Sequence, residues 1–274
     1  MKTGKIYNQF SQEYNELYLR HIHDFQHRYL AESPKDEYFV DFYPSFGIKR
    51  HEQCDFLVYG QAVNGWGSGF RIKAKVEPSR LQNSIAFSNE YYMEGNHTPL
   101  DWVNVQWDNS TFQKYRESKS AQEFYKDSGY RCYRSFFWNV VYKVISDYYP
   151  SVDREGLEWS KKLVWSNLYK IAPDGRNPGY YDQIYQRPNA FELVKKEIEE
   201  LKPKYCLVIT NDEWWAPFRT SLKTQVIENK IKSPRIESLE KYKETLIIVT
   251  TRPRIGNNEL HVRDILNTIK THSH

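Results

Sequence analysis

Four short apolar runs constrain the fold of this chain more than any other feature: Cys54 to Gly60 (CDFLVYG), Leu163 to Leu168 (LVWSNL), Tyr205 to Thr210 (YCLVIT) and Thr245 to Thr251 (TLIIVTT). Each is too short for a helix and without regular polar alternation, and together they are rich in β-branched residues, which is the pattern of strands buried on both faces. Strands of that kind belong to parallel sheets, whose neighbours need crossover connections. Segments of helical period fill the intervals: Tyr7 to Leu30, Arg134 to Tyr148, Asn189 to Leu201, and Glu259 to about Lys270. In the third, Phe191, Val194, Ile198 and Leu201 form one stripe above a charged face, and Pro203 stops the helix. The order α-β-α-β-α-β-(α)-β-α reads as an α/β protein, a three-layer α/β/α domain with a central four-stranded, mainly parallel sheet.

A length of 274 residues is within the reach of one α/β domain. No repeat, low-complexity tract or linker rich in Pro, Gly or Ser divides it, so residues 1–274 read as a single domain. Ser79 to Gly129 is polar and aromatic without sustained periodicity, which marks an insertion or lid beside a site. Hydrophobic residues make up only 39% of the chain, yet 22 Tyr, 14 Phe and 8 Trp are present, so rings must supply much of the buried area. The same rings suit either a core and its rim or a surface on which unstacked bases lie. A net charge of +4 permits a nucleic-acid partner without requiring one. Between Lys202 and Lys270 thirteen Lys or Arg stand against eight Asp or Glu, a surplus that fits either a phosphate-binding face or a solvated helix surface. Cys54, Cys132 and Cys206 are odd in number and far apart, which argues against disulfides and against a cysteine-rich metal site and fits a reducing cytoplasm. No apolar run approaches the roughly 20 residues of a membrane span. The N-terminus lacks the apolar core of a secretory signal.

In doubly wound sheets the ligand lies outside the C-terminal ends of the strands, so the residues that follow each run are the informative ones. After the first come Gly60, Gln61, Ala62, Val63, Asn64, Gly65, Trp66 and Gly67, which combine glycines for close backbone approach, two amides and an indole. The second run carries Asn167, an amide in an apolar strand that must find a partner, from a ligand edge or from neighbouring backbone. Asn211, Asp212 and Glu213 follow the third, and Thr251, Arg252, Pro253 and Arg254 follow the fourth, with Asn257 close behind. Cationic side chains there can grip phosphates or form surface ion pairs.

A strand ending in Gly60-Gln61, a second bearing Asn167 and a fourth ending in Arg252-Pro253 resemble the three motif positions of the uracil-DNA glycosylase superfamily. The resemblance covers roughly Cys54 to Arg254. The strings Tyr59-Gly60-Gln61 with Asn64-Gly65-Trp66, and Trp165 to Ile171 (WSNLYKI), are similar to a divergent bacterial branch of it. What the resemblance implies is a monofunctional DNA glycosylase, acting as a monomer without metal or cofactor. Such an enzyme flips a nucleotide out of the duplex and hydrolyses the N-glycosidic bond by water attack on an oxocarbenium-like sugar, leaving an abasic site. Carried over, Gln61 takes the first-motif glutamine position, Asn167 reads the pyrimidine edge, and Trp66 or Phe70 stacks on the base. Arg252-Pro253 stands for the usual His-Pro, and Thr251, Arg254 and Asn257 contact the DNA.

Two departures shape the expected specificity. Ala62 falls where the most active uracil enzymes place a water-activating Asp, and Arg252 replaces the His that stabilises the departing base. Arginine can still offset developing negative charge. Asn64 is expected to orient the water, which needs positioning more than deprotonation, with Asp212 the lower-ranked carboxylate. A glycine-rich loop from Gly60 to Gly69 is expected to admit a bulky 5-substituent, so the substrate reads as a modified pyrimidine. Hydroxymethylated or glucosylated cytosine of phage DNA is the leading example, with antiviral defence as the role. The alternatives are uracil excision in base-excision repair and a DNA-binding relative that has lost catalysis. A small-molecule nucleoside hydrolase is disfavoured by the basic C-terminal region and by the lack of a Gly-x-x-x-x-Gly-Lys phosphate loop.

Overall fold

The computed structural model describes residues 10–49, 52–63, 66–89, 98–100, 103, 135–150, 159–228, 230, 232–254 and 258–272. The protein is a mixed α/β structure. The strands are β1 Tyr38–Asp41, β2 Ser45–Phe46, β3 Phe56–Ala62, β4 Ser68–Arg71, β5 Leu163–Tyr169, β6 Ile171–Pro173, β7 Tyr205–Ile209, β8 Gln225–Val226, β9 Ile236–Tyr242 and β10 Thr245–Thr250. The helices are α1 Gln12–Glu32, α2 Ser79–Ser88, α3 Phe136–Tyr148, α4 Tyr180–Leu201, α5 Asp212–Leu222 and α6 Asn258–His272.

The four apolar runs form β3, β5, β7 and β10, which are adjacent and run parallel in the order β5-β3-β7-β10. The sheet itself is larger than the expected four strands. β2 joins it antiparallel beside β5, and β9 and β8 extend it antiparallel beyond β10, to give seven strands. β2 and β8 are two residues each, too short to leave a pattern in the sequence. In β9 buried positions alternate with exposed Glu237 and Lys241, so no apolar run marks it. A second, antiparallel sheet of order β4-β1-β6 was not anticipated either, since its strands are only three or four residues long.

Side chains alternate along the parallel strands into two cores. Leu57, Tyr59, Val164, Leu168, Cys206, Val208 and Ile247 meet α1, α4 and α5 on one face. Phe56, Val58, Leu163, Trp165, Leu207 and Ile248 meet α3 and α6 on the other. Helices therefore cover both faces of the sheet, which is why these strands carry no polar side.

Local signals account for the helix ends. Ser11 caps α1 by accepting from the Tyr14 N–H at 3.1 Å. α4 ends at Leu201, where Lys202 adopts a left-handed conformation before Pro203. That helix begins at Tyr180, nine residues before the expected start at Asn189, and continues through Pro188. Within the segment expected as a lid, Ser79–Ser88 is helical, and 90–97, 101–102 and 104–129 lie outside the described residues. Among the described residues no helix is long and apolar enough to cross a membrane. Cys54 and Cys206 are buried free thiols, and Cys132 lies outside the described residues.

Candidate functional site

The parallel register brings most of the residues singled out above to one end of the sheet. Gly60 on β3 pairs with Asn167 on β5, and both side-chain directions face the core that holds Trp165. Asn167 is 1% exposed, and its Nδ2 has no hydrogen-bond partner among the described residues. Most buried polar groups in folded proteins are paired, and an unmade one costs about 1–3 kcal/mol. A buried amide at the C-terminal mouth of a parallel sheet, with a bond unmade among the described residues, marks this end of the sheet as the candidate site.

Gly60 is what makes room for that amide. A Cβ built on Gly60 would stand 2.5 Å from the Asn167 Oδ1. Gly60→Ala is expected to push the amide aside and lower the activity of the site by tenfold or more. The melting temperature should move by only a few degrees, because the clash falls on a side-chain end and not on backbone. Parallel activity and thermal-melt measurements check this.

Asn167 is also held from behind. Lys170, fully buried, donates through Nζ to the Asn167 carbonyl at 2.5 Å and to Ser166 Oγ at 2.6 Å. It lies 2.8 Å from Glu197 Oε1, also fully buried. Glu197 in turn accepts from the Tyr14 hydroxyl at 2.6 Å and the Tyr59 hydroxyl at 2.8 Å. Burial and the Glu197 charge push both phenols well above their ordinary range, so they stay protonated donors. This network ties α1, α4, β3 and β5 together directly behind residue 167. The lysine was visible in the sequence motif, but its complete burial was not.

Gln61, half-buried, donates from Nε2 to the Thr210 carbonyl at 3.1 Å, which fixes the first-motif amide against the end of β7. Trp66 stands beside Trp165 with ring centroids 6.5 Å apart and planes at 70°. Phe70 is elsewhere. It is 8% exposed in the opposite core, near Phe39 at 6.2 Å and with the Arg80 guanidinium 5.1 Å from its ring centre. Of the two rings considered for stacking, Trp66 is the one beside Asn167's strand.

The glycines after β3 also have packing roles. A Cβ on Gly67 would meet the Asp41 carbonyl at 2.2 Å, and one on Gly69 would meet the Tyr38 hydroxyl at 1.7 Å. Residues Ser68–Arg71 form β4, paired with β1. The glycine-rich segment is thus partly a strand in close contact with its neighbours and not an open loop as the sequence suggested.

At the other side of this edge, Asn211 links β7 to β10. With φ of 87° it donates its N–H to the Thr250 carbonyl at 3.0 Å and accepts from the Arg252 N–H through Oδ1 at 2.5 Å. Arg252, Arg254, Thr251 and Asn211 line a cleft of about 390 Å³ with Arg235 and His261. Successive strands lie about 4.8 Å apart, so this cleft is roughly 14 Å along the sheet edge from Asn167. Arg252 is accordingly grouped with Arg254 and Thr251, not with the buried amide.

Asp212, the carboxylate considered for water activation, is ion-paired with Arg219. Arg219 also donates to the fully buried Glu240 at 2.6 Å, which pins both acids into the α5–β9 contact. Nothing about Asp212 leaves it poised as a base. Asn64 and Asn257 lie outside the described residues. His261, which the sequence reading passed over, is 1% exposed with its Nε2 unpartnered. No signal in its helix distinguished it from a core histidine. Among the described residues no group of three or more His, Cys, Asp or Glu could hold a metal ion. No protein-family model and no curated protein matches the chain.

Proposed function

We propose that the protein is a DNA glycosylase that turns a pyrimidine nucleotide out of the duplex and hydrolyses its N-glycosidic bond. The observation that carries this reading is the buried amide of Asn167, 1% exposed with Nδ2 unpaired among the described residues, facing Gly60 at the end of the parallel strands. A side-chain amide presents a donor and an acceptor together, the combination that reads the edge of a base. A flipped base brings the missing partner and removes the cost of the unmade bond.

In the reaction a water oxygen bonds to C1′ as the C1′–N bond breaks. The bonding pair leaves with the base, and the proton released by the water neutralises it. Ala62 offers no carboxylate and Asp212 is paired with Arg219, so the residues act by position and charge. Gln61, held by the Thr210 carbonyl, presents its own carbonyl oxygen to a water. Trp66 stacks on the base, and the guanidinium groups of Arg252 and Arg254, on the β10 side of the sheet edge, hold the DNA phosphates.

Ala62 and Arg252, at positions where uracil enzymes carry Asp and His, set the site apart from them. The reading we favour is a 5-substituted pyrimidine such as hydroxymethylated or glucosylated cytosine, for which Ala62 leaves more room than the Asp of uracil enzymes, and which gives the enzyme a role against phage in the cytoplasm. The test uses duplex and single-stranded DNAs containing uracil, 5-hydroxymethylcytosine or its glucosylated form, with chelator present and abasic sites scored by alkaline cleavage. Excision of a modified cytosine is the expected result. Excision of uracil alone would move the protein to repair. DNA binding without abasic sites on any substrate would leave a non-catalytic binder and end the proposal.

A further inference from the structure

The cleft at the end of β10 is assembled from four separate pieces of chain. Thr251, Arg252 and Arg254 come from the exit of β10, Arg235 and Glu237 from the entry to β9, Asn211 from the exit of β7, and His261 from α6. Its walls are tied together: the Thr251 N–H donates to the Arg235 carbonyl at 2.9 Å, and Asn211 holds the Arg252 N–H. At about 390 Å³ it falls at the small end of ligand-sized cavities.

Its charges are unevenly satisfied. Arg235 is paired with Asp264 at 2.9 Å, and Asp264 also accepts from Ser233 Oγ at 2.5 Å. Glu237 accepts the Asp212 N–H at 2.5 Å. The Arg252 and Arg254 side chains, by contrast, are exposed and make no ion pair or hydrogen bond among the described residues. At the floor, His261 is 1% exposed, and its Nε2 is buried without a partner among the described residues. Burial and the Arg235 charge push the imidazole down to about 4, so it is neutral at physiological pH and does not add to the repulsion among the arginines.

We propose that this cleft is a phosphate-binding site, with Arg252 and Arg254 as its rim and His261 as its floor. Two unpaired planar guanidinium groups match the oxygens of a phosphate, and a neutral imidazole N–H supplies a third donor from below. The Thr251 hydroxyl and the Asn211 amide add donors from the sides. A tetrahedral oxyanion accepts from all of these directions at once, which a planar carboxylate does not. This deepens the reading above, in which Arg252 and Arg254 hold the DNA, although binding at the cleft requires only the anion. An internal phosphodiester of DNA and a terminal phosphate monoester both supply that chemistry.

The test titrates the full chain with inorganic phosphate and follows the His261 ring resonances by NMR, with His21, buried in the other core region, as the internal control. Phosphate is expected to move His261 saturably and leave His21 in place. Arg254→Ala, an exposed substitution with no packing to lose, is expected to weaken binding about tenfold or more, as the loss of a charged hydrogen bond does. His261→Phe should weaken it similarly if it folds, and Arg254→Ala decides the matter if it does not. Competition then identifies the source. Displacement by an unphosphorylated single-stranded oligonucleotide assigns the site to internal phosphodiesters, and displacement only by its 5′-phosphorylated form assigns it to a terminal phosphate. Absence of a saturable His261 shift, or a shift that survives Arg254→Ala unchanged, would overturn the proposal. Neither result bears on whether abasic sites are formed, so the two readings fail separately.

Discussion

Asn167→Ala is expected to lower base excision by about 10²–10³-fold, the range typical for removing one positioned donor from an active site. DNA affinity should stay within about twofold, because the phosphate contacts lie on the β10 side of the edge. Stability should change by less than about 1 kcal/mol. That last expectation separates the two roles an asparagine can have in an apolar strand. A structural asparagine has its partners inside the protein, and its removal strands them at a cost of about 1–3 kcal/mol. Among the described residues Asn167 Nδ2 has no such partner, so truncation removes an unmet need along with the atoms that had it. Asn167→Asp keeps the shape but replaces the donor end with an acceptor and buries a charge, so it should fail on a pyrimidine that Asn167 reads. The measurements are single-turnover excision, DNA affinity at fixed salt and denaturant unfolding on the same preparations. A variant that excises normally, or that is several kcal/mol less stable, would show that this amide is structural.

Asn167 could be singled out from the sequence because it breaks an otherwise apolar run, and the four parallel strands were legible for the same reason. Burial on both faces leaves a strand no polar positions, so its sequence states its environment. β9 was not legible, because it mixes exposed charges with Glu240. That residue is fully buried yet satisfied, accepting from Trp215 Nε1 at 2.9 Å, Arg219 Nε at 2.6 Å, Thr224 Oγ1 at 2.5 Å and Ser238 Oγ at 2.7 Å. A carboxylate with four donors around it looks in sequence like any solvated acid. Asp212 misled in the opposite direction. Its place after β7 suggested a free base, and only the fold shows Arg219, one to two turns along the same helix, closing on it. Phe70 fell close to the motif in sequence but on a strand whose pairing with β1 turns it into the opposite core. His261 is invisible without coordinates, since its distinction is a missing hydrogen bond.

Lys170→Met is expected to cost about 3–5 kcal/mol of stability, the range for removing one member of a buried ion pair. The ammonium has three acceptors at Nζ, namely Ser166 Oγ at 2.6 Å, the Asn167 carbonyl at 2.5 Å and Glu197 Oε1 at 2.8 Å. Three acceptors match its three protons, which is what makes a charge bearable where neither partner has any exposure. Methionine fills a similar volume but leaves Glu197 charged in an apolar core, with only the Tyr14 and Tyr59 hydroxyls to hold it. Burial lowers the Lys170 affinity for its proton, and the Glu197 carboxylate opposes this, so each group depends on the other. Replacing both, as Lys170→Met with Glu197→Leu, should recover much of the loss, because an apolar pair needs no desolvation. Denaturant unfolding of the two single variants and the double variant gives the coupling directly. If the double variant regains stability but still excises poorly, the ion pair serves to hold the backbone of residue 167, and the buried charge is retained for the geometry of the site. If the double variant regains both, the network is a packing solution that the site does not need.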